Sequence, residues 1–266
     1  MLTMQKISEY KQDDLIYNHV VYDSQTERHF AKHAHSLLEM IYVLQGEVSY
    51  TIENKQFIAK RGDCIVIKPY AYHYFSVSGK NDYEKIGVLV KEQDTPSLFG
   101  GQEFLLLRGG ESKIDEIFLK LDFYFQNCPQ PTFIELLSAL ARELLINLRL
   151  FHATNAITEH TQIHPIIERA IAHINNHLFT LGTLQELAQA LSVSEGYLKA
   201  LFTQQMKIPP KKYITEKRML RARELITSGI PPTQAAFQCG YANYTTFYRL
   251  YVKLFGCPPQ ASKSIP

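Results

Sequence analysis

The fold of the C-terminal part is decided by residues 183–202, which read TLQELAQALSVSEGYLKALF. Thr183, followed three residues later by Glu186, is a capping box that starts a helix, and apolar residues then recur at helical spacing. The triplet 192–194 interrupts this helix, and Ser194 can cap a second one. Helix, three-residue turn and helix is the pattern of a helix-turn-helix unit, which we therefore predict here.

The same arrangement recurs about 48 residues later. Pro232 can start a helix, Gly240 can adopt the positive φ of the break, and Asn243 can cap the helix that follows. Cap and core positions of the two copies correspond in pairs, which are Ser194 and Asn243, Leu198 and Phe247, Leu201 and Leu250, and Phe202 and Tyr251. This internal repeat predicts two helix-turn-helix units.

Charge is divided unevenly along the chain. Residues 164–266 carry 12 Lys and Arg against 5 Asp and Glu, whereas residues 1–163 carry 16 against 21. A polyanionic partner is therefore expected for the C-terminal part only. Between the two copies, residues 210–228 form a basic amphipathic pattern. At about 1.5 Å per residue, that helix is long enough to hold the two units roughly one DNA turn apart.

The stretch from Leu184 to Gln260 resembles the DNA-binding domain of the AraC/XylS family of bacterial transcription regulators. The residues that carry the resemblance are Leu187-Ala188, Ser194, Leu198, Phe202, Arg218, Ala222, Leu225, Gly240-Tyr241, Phe247, Arg249, Lys253 and residues 255–259. The resemblance implies a transcription regulator that binds double-stranded DNA and forms a homodimer. If the protein is an activator, the resemblance also implies contact with RNA polymerase.

The second helix of each unit, its recognition helix, has one face directed away from the core. In the first unit this face offers only Lys199 and Thr203 for bonding to bases. In the second it offers Arg249, which can bond guanine through two N–H groups, and Thr245, which can bond a base or touch a thymine methyl. The predicted DNA-binding set is completed by Tyr244, Tyr248 and Lys253.

Phosphate contact is the alternative to base contact for some of these cations. It is the alternative for Arg249, and for Lys199 it is as strongly expected as base contact. Further cations are interpreted as solvated or phosphate-facing, and these are Lys211, Lys212, Lys217, Arg221, Arg223 and Lys253.

The N-terminal part begins as short strands. Over residues 15–108, short apolar runs alternate with turn signals. Residues 41–44 and 48–52 are predicted to form one hairpin, and residues 57–59 and 64–67 another. Short strands at this spacing favour a small barrel or sandwich.

Residues 112–152 change to helical periodicity. The apolar residues of the first helix are Ile114, Ile117, Phe118, Leu121 and Phe125. Those of the second are Phe133, Leu137, Leu140, Leu144, Leu148 and Phe151, widened by Leu136, Leu145 and Leu150. This wide stripe can pack on the strands, and the part left over can form a dimer contact; the two interpretations are compatible.

Two polar motifs lie among the strands. His33-Ala34-His35, Glu39 and Gly46 follow the spacing of the first cupin motif, and Gly62-Asp63 with Pro69 and His73 resembles the second in a shortened form. The three polar residues of the first motif share strand parity and can point into the barrel. With His73 they could bind a divalent transition metal, or they could line an effector pocket.

The second motif departs from its pattern, because Ala71 replaces its glycine and its asparagine is missing. No metal cofactor is therefore expected, although a divalent metal is the alternative to a set of hydrogen-bonded polar residues. Three functions follow for the barrel: a sensor whose ligand alters dimerisation or exposure of the DNA-binding domain, a metal-dependent cupin enzyme, and a vestigial barrel with structural roles only. Fusion to a DNA-binding domain favours the sensor over the enzyme, and by family frequency its effector is a small polar metabolite such as a sugar.

The sequence thus predicts an α+β protein. A cupin-like β-barrel with following helices occupies residues 1–152, a polar linker occupies 153–163, and an all-α domain with two helix-turn-helix units occupies 164–266. The four scattered cysteines suit free thiols in a reducing compartment. No signal peptide and no apolar run near about 18 residues is present, so we expect a cytoplasmic protein without a membrane span.

Overall fold

The computed structural model describes residues 4–12, 14–22, 28–29, 33–53, 55–77, 82–91, 98–99, 102–109, 112–154 and 164–263. The chain divides into two compact units, Met1–Thr161 and Gln162–Pro266, called here the N-terminal and C-terminal units. The first contains two β-sheets followed by helices and the second is helical, so the predicted α+β class is confirmed. Within the described ranges, no helix is long and apolar enough to cross a membrane.

The strands described in the N-terminal unit form two antiparallel sheets. They are β1 (Met4–Gln12), β2 (Leu15–Tyr22), β3 (Arg28–His29), β4 (Leu38–Gln45), β5 (Glu47–Ile52), β6 (Lys55–Lys60), β7 (Cys64–Ile67), β8 (His73–Val77), β9 (Tyr83–Val90) and β10 (Phe104–Leu107). The six-stranded sheet has the order β1-β2-β9-β4-β7-β10, and the four-stranded sheet has the order β3-β8-β5-β6.

The two predicted hairpins are wrong. β4 and β5 lie in different sheets, and so do β6 and β7, so the chain crosses between sheets at each of these turns. Gly46 makes the first crossing with a φ of 83°, and a Cβ there would lie 2.3 Å from the carbonyl oxygen of Asp82. Alternating apolar residues predict a strand but not its partner, and a short turn serves a crossing as well as a hairpin.

Both faces of the six-stranded sheet are buried. One face packs against two helices, α1 (Ser112–Asn127) and α2 (Gln130–Thr154), through side chains such as Phe118 and Leu144. The opposite face packs against the four-stranded sheet. Large aromatic side chains fill that space, and they include Tyr22, Tyr50, Phe57, Phe75, Tyr83 and Phe104.

The predicted helical stripe is buried over most of its length, but not at Leu150, whose side chain is 64% exposed. Leu119 and Phe123 of α1 and Ile146 of α2 are also exposed. We call these four residues the exposed apolar surface. The side chain of Phe151 and the predicted linker residues 155–163 lie outside the described residues, and α2 ends at Thr154.

The C-terminal unit is built of short helices. They are α3 (Pro165–Asn176), α4 (Leu184–Ala190), α5 (Glu195–Met206), α6 (Pro210–Thr227), α7 (Pro232–Gln238) and α8 (Tyr244–Phe255), followed by a 3-10 turn at Pro259–Lys263. α4 and α5 form the first predicted helix-turn-helix unit, α7 and α8 form the second, and α6 connects them. The predicted N-caps are confirmed, since a side-chain oxygen accepts a backbone N–H in each case: Thr183 from Glu186 (3.1 Å), Ser194 from Tyr197 (3.2 Å) and Asn243 from Thr246 (3.0 Å).

The turns of the two units have the same backbone path. Gly240 adopts the predicted positive φ of 81°, and Ser192 occupies the equivalent position with a φ of 58°. The next residue in each turn donates its backbone N–H over the same 3.0 Å, from Val193 to Ala188 and from Tyr241 to Ala236. The repeat read from the sequence is therefore a structural repeat.

Candidate nucleic-acid interface and sensor site

The exposed face of α8 carries most of the predicted DNA-binding residues. Phe247 and Tyr251 are fully buried, which turns Arg249 toward solvent. Within the described part of the chain, no ion pair occupies the Arg249 guanidinium. The same exposed face includes Thr245, Tyr248 and Lys253. Leu254, in the last turn of α8, is 41% exposed.

Tyr244 lies at the start of α8 and is half-buried. Its ring packs 5.7 Å from the ring of Phe247, and its hydroxyl accepts a hydrogen bond from Gln260 Nε2 at 3.2 Å. Gln260 follows α8 and was not predicted to belong to this face, because its partner lies 16 residues earlier in the chain.

The exposed face of α5 is poorer in free polar groups. Lys199 and Thr203 are exposed as predicted, and nothing approaches the Cβ position of Gly196 within 4 Å. Sequence reasoning missed Glu195, whose carboxylate forms an i,i+4 ion pair with the ammonium of Lys199. The single cation on this face therefore already has a local partner.

Lys217 corrects the prediction of a solvated or phosphate-facing cation. The residue is only 3% exposed, and its ammonium donates to Asn175 Oδ1 at 2.8 Å and to the Tyr213 hydroxyl at 2.9 Å. Its neighbour Arg218 donates to the carbonyl oxygens of Leu178 and Leu181, both at 2.6 Å. These bonds tie α6 to the end of α3 and to the segment between α3 and α4, so both side chains have structural roles.

The remaining predicted cations of this helix differ in their surroundings. Lys211 and Lys212 are exposed. Arg221 forms an ion pair with Glu224, and the guanidinium of Arg223 lies 4.9 Å from the centre of the Phe255 ring. Lys212 also pairs with Glu216, since its Nζ lies 3.6 Å from Oε1. Lys211 is therefore the exposed cation of α6 with no ion pair among the described residues.

The N-terminal unit brings the four predicted polar residues together. Ring nitrogens of His33, His35 and His73 lie within 4.8 Å of one another. Glu39 Oε2 lies 3.1 Å from Nε2 of both His35 and His73. His33 is exposed, His35 is half-buried, and the other two are buried. We call these four residues the polar cluster.

Hydrogen bonds fix how two of the rings are oriented. Nδ1 of His35 donates to the Leu37 carbonyl, and Nδ1 of His73 donates to the Ala71 carbonyl, both at 2.9 Å. In its neutral form each ring therefore presents Nε2 as an acceptor, facing a carboxylate that also accepts. His73 Nε2 is buried and faces Glu39 Oε2 at 3.1 Å. Because these nitrogens and the Glu39 carboxylate both accept, a hydrogen-bond donor or a cation is needed between them.

Lys85 supplies one positive charge next to the polar cluster. The residue is buried, and its Nζ lies 3.6 Å from Glu39 Oε1. Burial alone would raise the pKa of the Glu39 carboxyl, but the Lys85 charge and the bonds to His35 and His73 hold that pKa well below its ordinary value. Glu39 is therefore ionised at neutral pH.

Asp63 of the second predicted motif has a structural role. Asp63 is fully buried, and its carboxylate accepts backbone N–H groups of Lys60 and Gly109, each at 3.0 Å. Arg108 donates to the same carboxylate at 2.8 Å. Asp63 thus joins the β6–β7 turn to the end of β10.

Comparison with known proteins places both units in families. The helix-turn-helix domain family matches residues 187–264, and the cupin domain family matches residues 19–84. The chain is an AraC-family helix-turn-helix regulator with an N-terminal cupin domain. This AraC-family regulator is a DNA-binding transcription regulator and not an enzyme, which removes the cupin-enzyme alternative.

Three relatives align with the AraC-family chain over most of their length. The HTH-type transcriptional regulator YdiP of Escherichia coli is 24% identical over 83% of this chain and 76% of its own. YobQ of Bacillus subtilis is 24% identical over 88% of both chains. The HTH-type transcriptional activator RhaR of Salmonella dublin is 21% identical over 86% of both.

Proposed function

We propose that this regulator recognises a specific DNA sequence by placing α5 and α8 in adjacent major grooves, and that it works in the cytoplasm as an effector-controlled homodimer. The observation that carries the DNA part is the repeated helix-turn-helix unit, whose two recognition helices both expose polar faces. Arg249 is exposed and unpaired among the described residues, whereas Lys199 is held by Glu195. Base readout therefore depends mainly on the second unit, with DNA shape contributing where the first unit docks.

Selection of binding sites from random DNA with the full chain tests this proposal. Affinity is then measured on single-base variants of the selected site. We expect Arg249→Ala to lose about 1–3 kcal/mol of discrimination at one base position. Arg249→Lys is the matched control, since it keeps the charge and the salt dependence but loses the two-pronged bond. An equal loss of affinity on every variant would make Arg249 a phosphate contact.

The effector part of the proposal rests on the polar cluster. The ionised Glu39 carboxylate, and any ring of the cluster in its neutral form, presents hydrogen-bond acceptors, so a complementary ligand supplies donors. Hydroxyl groups, as in the sugar suggested by family frequency, meet this requirement. A thermal-shift screen of the full chain should find a stabilising metabolite. His35→Ala should abolish the shift, while the exposed His177→Ala should keep it. No stabilisation by any metabolite, with DNA binding intact, would argue against the sensor.

A divalent metal is the second candidate for the cluster. The close approach of three histidine ring nitrogens, all within 4.8 Å of one another, favours it. His33, His35, Glu39 and His73 would supply three nitrogens and one carboxylate oxygen. The metal would act as a Lewis acid that polarises a bound ligand. Lys85 counts against it, because a second cation near Glu39 is repelled. Metal analysis of purified protein decides: stoichiometric metal that is lost in His35→Ala supports this candidate, and metal-free protein eliminates it.

We extend the proposal to activation through contact with RNA polymerase, since the aligned relative RhaR is named as an activator. A reporter gene downstream of the selected site tests this. Expression that rises with the regulator supports activation, and expression that falls indicates repression.

A further inference from the structure

A buried histidine joins three elements of the N-terminal unit, away from the polar cluster. His19 of β2 is 6% exposed. Its Nδ1 lies 2.7 Å from Asp122 Oδ1 on α1, and its Nε2 lies 2.7 Å from Glu84 Oε1 on β9. Asp122 also accepts from the Tyr17 hydroxyl at 2.8 Å and from Gln126 Nε2 at 2.9 Å.

This geometry requires a charged ring. A neutral imidazole has one N–H and one lone pair, but a carboxylate only accepts. Both nitrogens of His19 face carboxylates, so both must carry protons. The charged groups that act on the ring are Glu84 from β9 and Asp122 from α1, Tyr17 of β2 adds a hydroxyl, and β1 places the uncharged Ser8 opposite His19.

The two carboxylates have a larger effect on the pKa of His19 than burial has. Burial alone would lower the pKa of His19, but the hydrogen bonds and charges of Asp122 and Glu84 raise it above 6.5. Burial would likewise raise the pKa of Asp122, but the bonds from His19 and Tyr17 lower it below 3.8. The imidazolium form is therefore the stable one at neutral pH.

We propose that His19 is a proton-dependent latch that holds α1 on the six-stranded sheet. The bonds of the charged His19 ring stabilise the packing of α1 on the sheet. This stabilisation is fully present below pH 6.5 and is lost as the pH rises through the raised pKa of His19. On the acid side the bond to Asp122 is lost as the pH falls through the lowered pKa of Asp122. The latch therefore opens toward alkaline pH, and α1 loosens from the sheet.

The latch lies beside the exposed apolar surface. Leu119 and Phe123 lie three residues before and one residue after Asp122 on α1. Loosening of α1 therefore disturbs the exposed apolar surface, which includes Leu150 of the helical stripe that was predicted to offer a dimer contact. This consequence for assembly rests on the proposed dimer, whereas the latch itself does not.

Nuclear magnetic resonance of the full chain with isotope-labelled histidine tests the charge state. The signals of His19 are assigned from their absence in His19→Gln. We expect both ring nitrogens to be protonated at pH 7 and to titrate above 6.5. Asp122→Asn should shift the titration to lower pH, because one charged partner is lost. An unprotonated ring nitrogen at pH 7, or an unchanged titration in Asp122→Asn, would overturn the proposal.

Hydrogen exchange tests the opening of the latch. Amide exchange of α1, corrected for its intrinsic pH dependence, is compared at pH 7 and pH 9 with that of α6 in the same chain. The ratio of the α1 exchange rate to the α6 exchange rate should rise several-fold from pH 7 to pH 9 in the wild type and in the His177→Gln control. In His19→Gln this ratio should stay constant. An equal rise in His19→Gln would refute the latch. If His19→Gln fails to fold, Asp122→Asn takes its place, and its ratio should begin to rise at lower pH than in the wild type. Neither measurement depends on dimerisation, so failure of the dimer proposal remains distinguishable.

Discussion

Replacing Gly240 by alanine should destabilise the C-terminal unit by more than backbone strain alone. A Cβ at this position would lie 2.4 Å from the carbonyl oxygen of Phe179 and 3.2 Å from Cζ of Arg218. A positive φ costs a residue with a Cβ about 1–2 kcal/mol. Displacing packed neighbours adds about 1–3 kcal/mol, so the expected loss is about 2–5 kcal/mol.

Gly256→Ala is the matched control, because Gly256 also has a positive φ, of 71°, but nothing lies within 4 Å of its Cβ position. It should lose only the strain, about 1–2 kcal/mol. Urea unfolding of the full chain, followed by circular dichroism at 222 nm, gives both values, and loss of DNA binding identifies the C-terminal transition. If Gly240→Ala cost no more than Gly256→Ala, the assigned close approach of Gly240 to the Phe179 carbonyl would be refuted.

Three further predictions concern charge and assembly. Lys217→Met should leave the salt dependence of DNA binding unchanged, whereas Lys211→Ala should reduce its slope by about one if that residue contacts a phosphate; titrations at several salt concentrations measure both. Asp63→Asn should cost about 2–3 kcal/mol in thermal unfolding, since it weakens charge-assisted bonds to Arg108 and two backbone amides; an unchanged melting temperature would contradict this. Leu150→Glu should shift the chain toward monomer in analytical ultracentrifugation, and an unaffected dimer would exclude the exposed apolar surface as its interface.

Features that depend on near neighbours in the chain were predictable. The caps at Thr183, Ser194 and Asn243 each need only a side chain and an amide three residues later, and the positive φ of Gly240 needs only a break in a helical pattern. The four residues of the polar cluster could also be selected, because motif spacing and strand parity carry that information.

Features that depend on distant partners were not predictable. Lys217 was interpreted as a surface cation because its sequence context is basic, and its partner Asn175 lies 42 residues away. The bonds of His19 span 65 and 103 residues, so nothing in the sequence around it marks the ring as charged. Glu195 is different: its i,i+4 spacing to Lys199 was visible in the sequence.

The prediction of strand pairing was wrong for a related reason. β4 and β5 are adjacent in sequence and separated by one glycine, yet hydrogen bonding assigns them to opposite sheets. The strand pattern records which residues are apolar, but the register and partner of a strand are set by the whole set of strands that compete for it.

These crossings have a thermodynamic consequence for ligand binding. Glu39 belongs to β4 of the six-stranded sheet, and His73 begins β8 of the four-stranded sheet. A molecule that bonds both side chains connects the two sheets. The chain also passes between these sheets at the β4–β5 and β6–β7 turns. Neither sheet can therefore unfold while the other keeps the ligand. Its binding free energy is thus added to the unfolding of the N-terminal unit as a whole, about 2.7 kcal/mol at a ligand concentration one hundred times Kd. A ligand that contacts only Glu39 and His73 therefore stabilises every strand of the N-terminal unit.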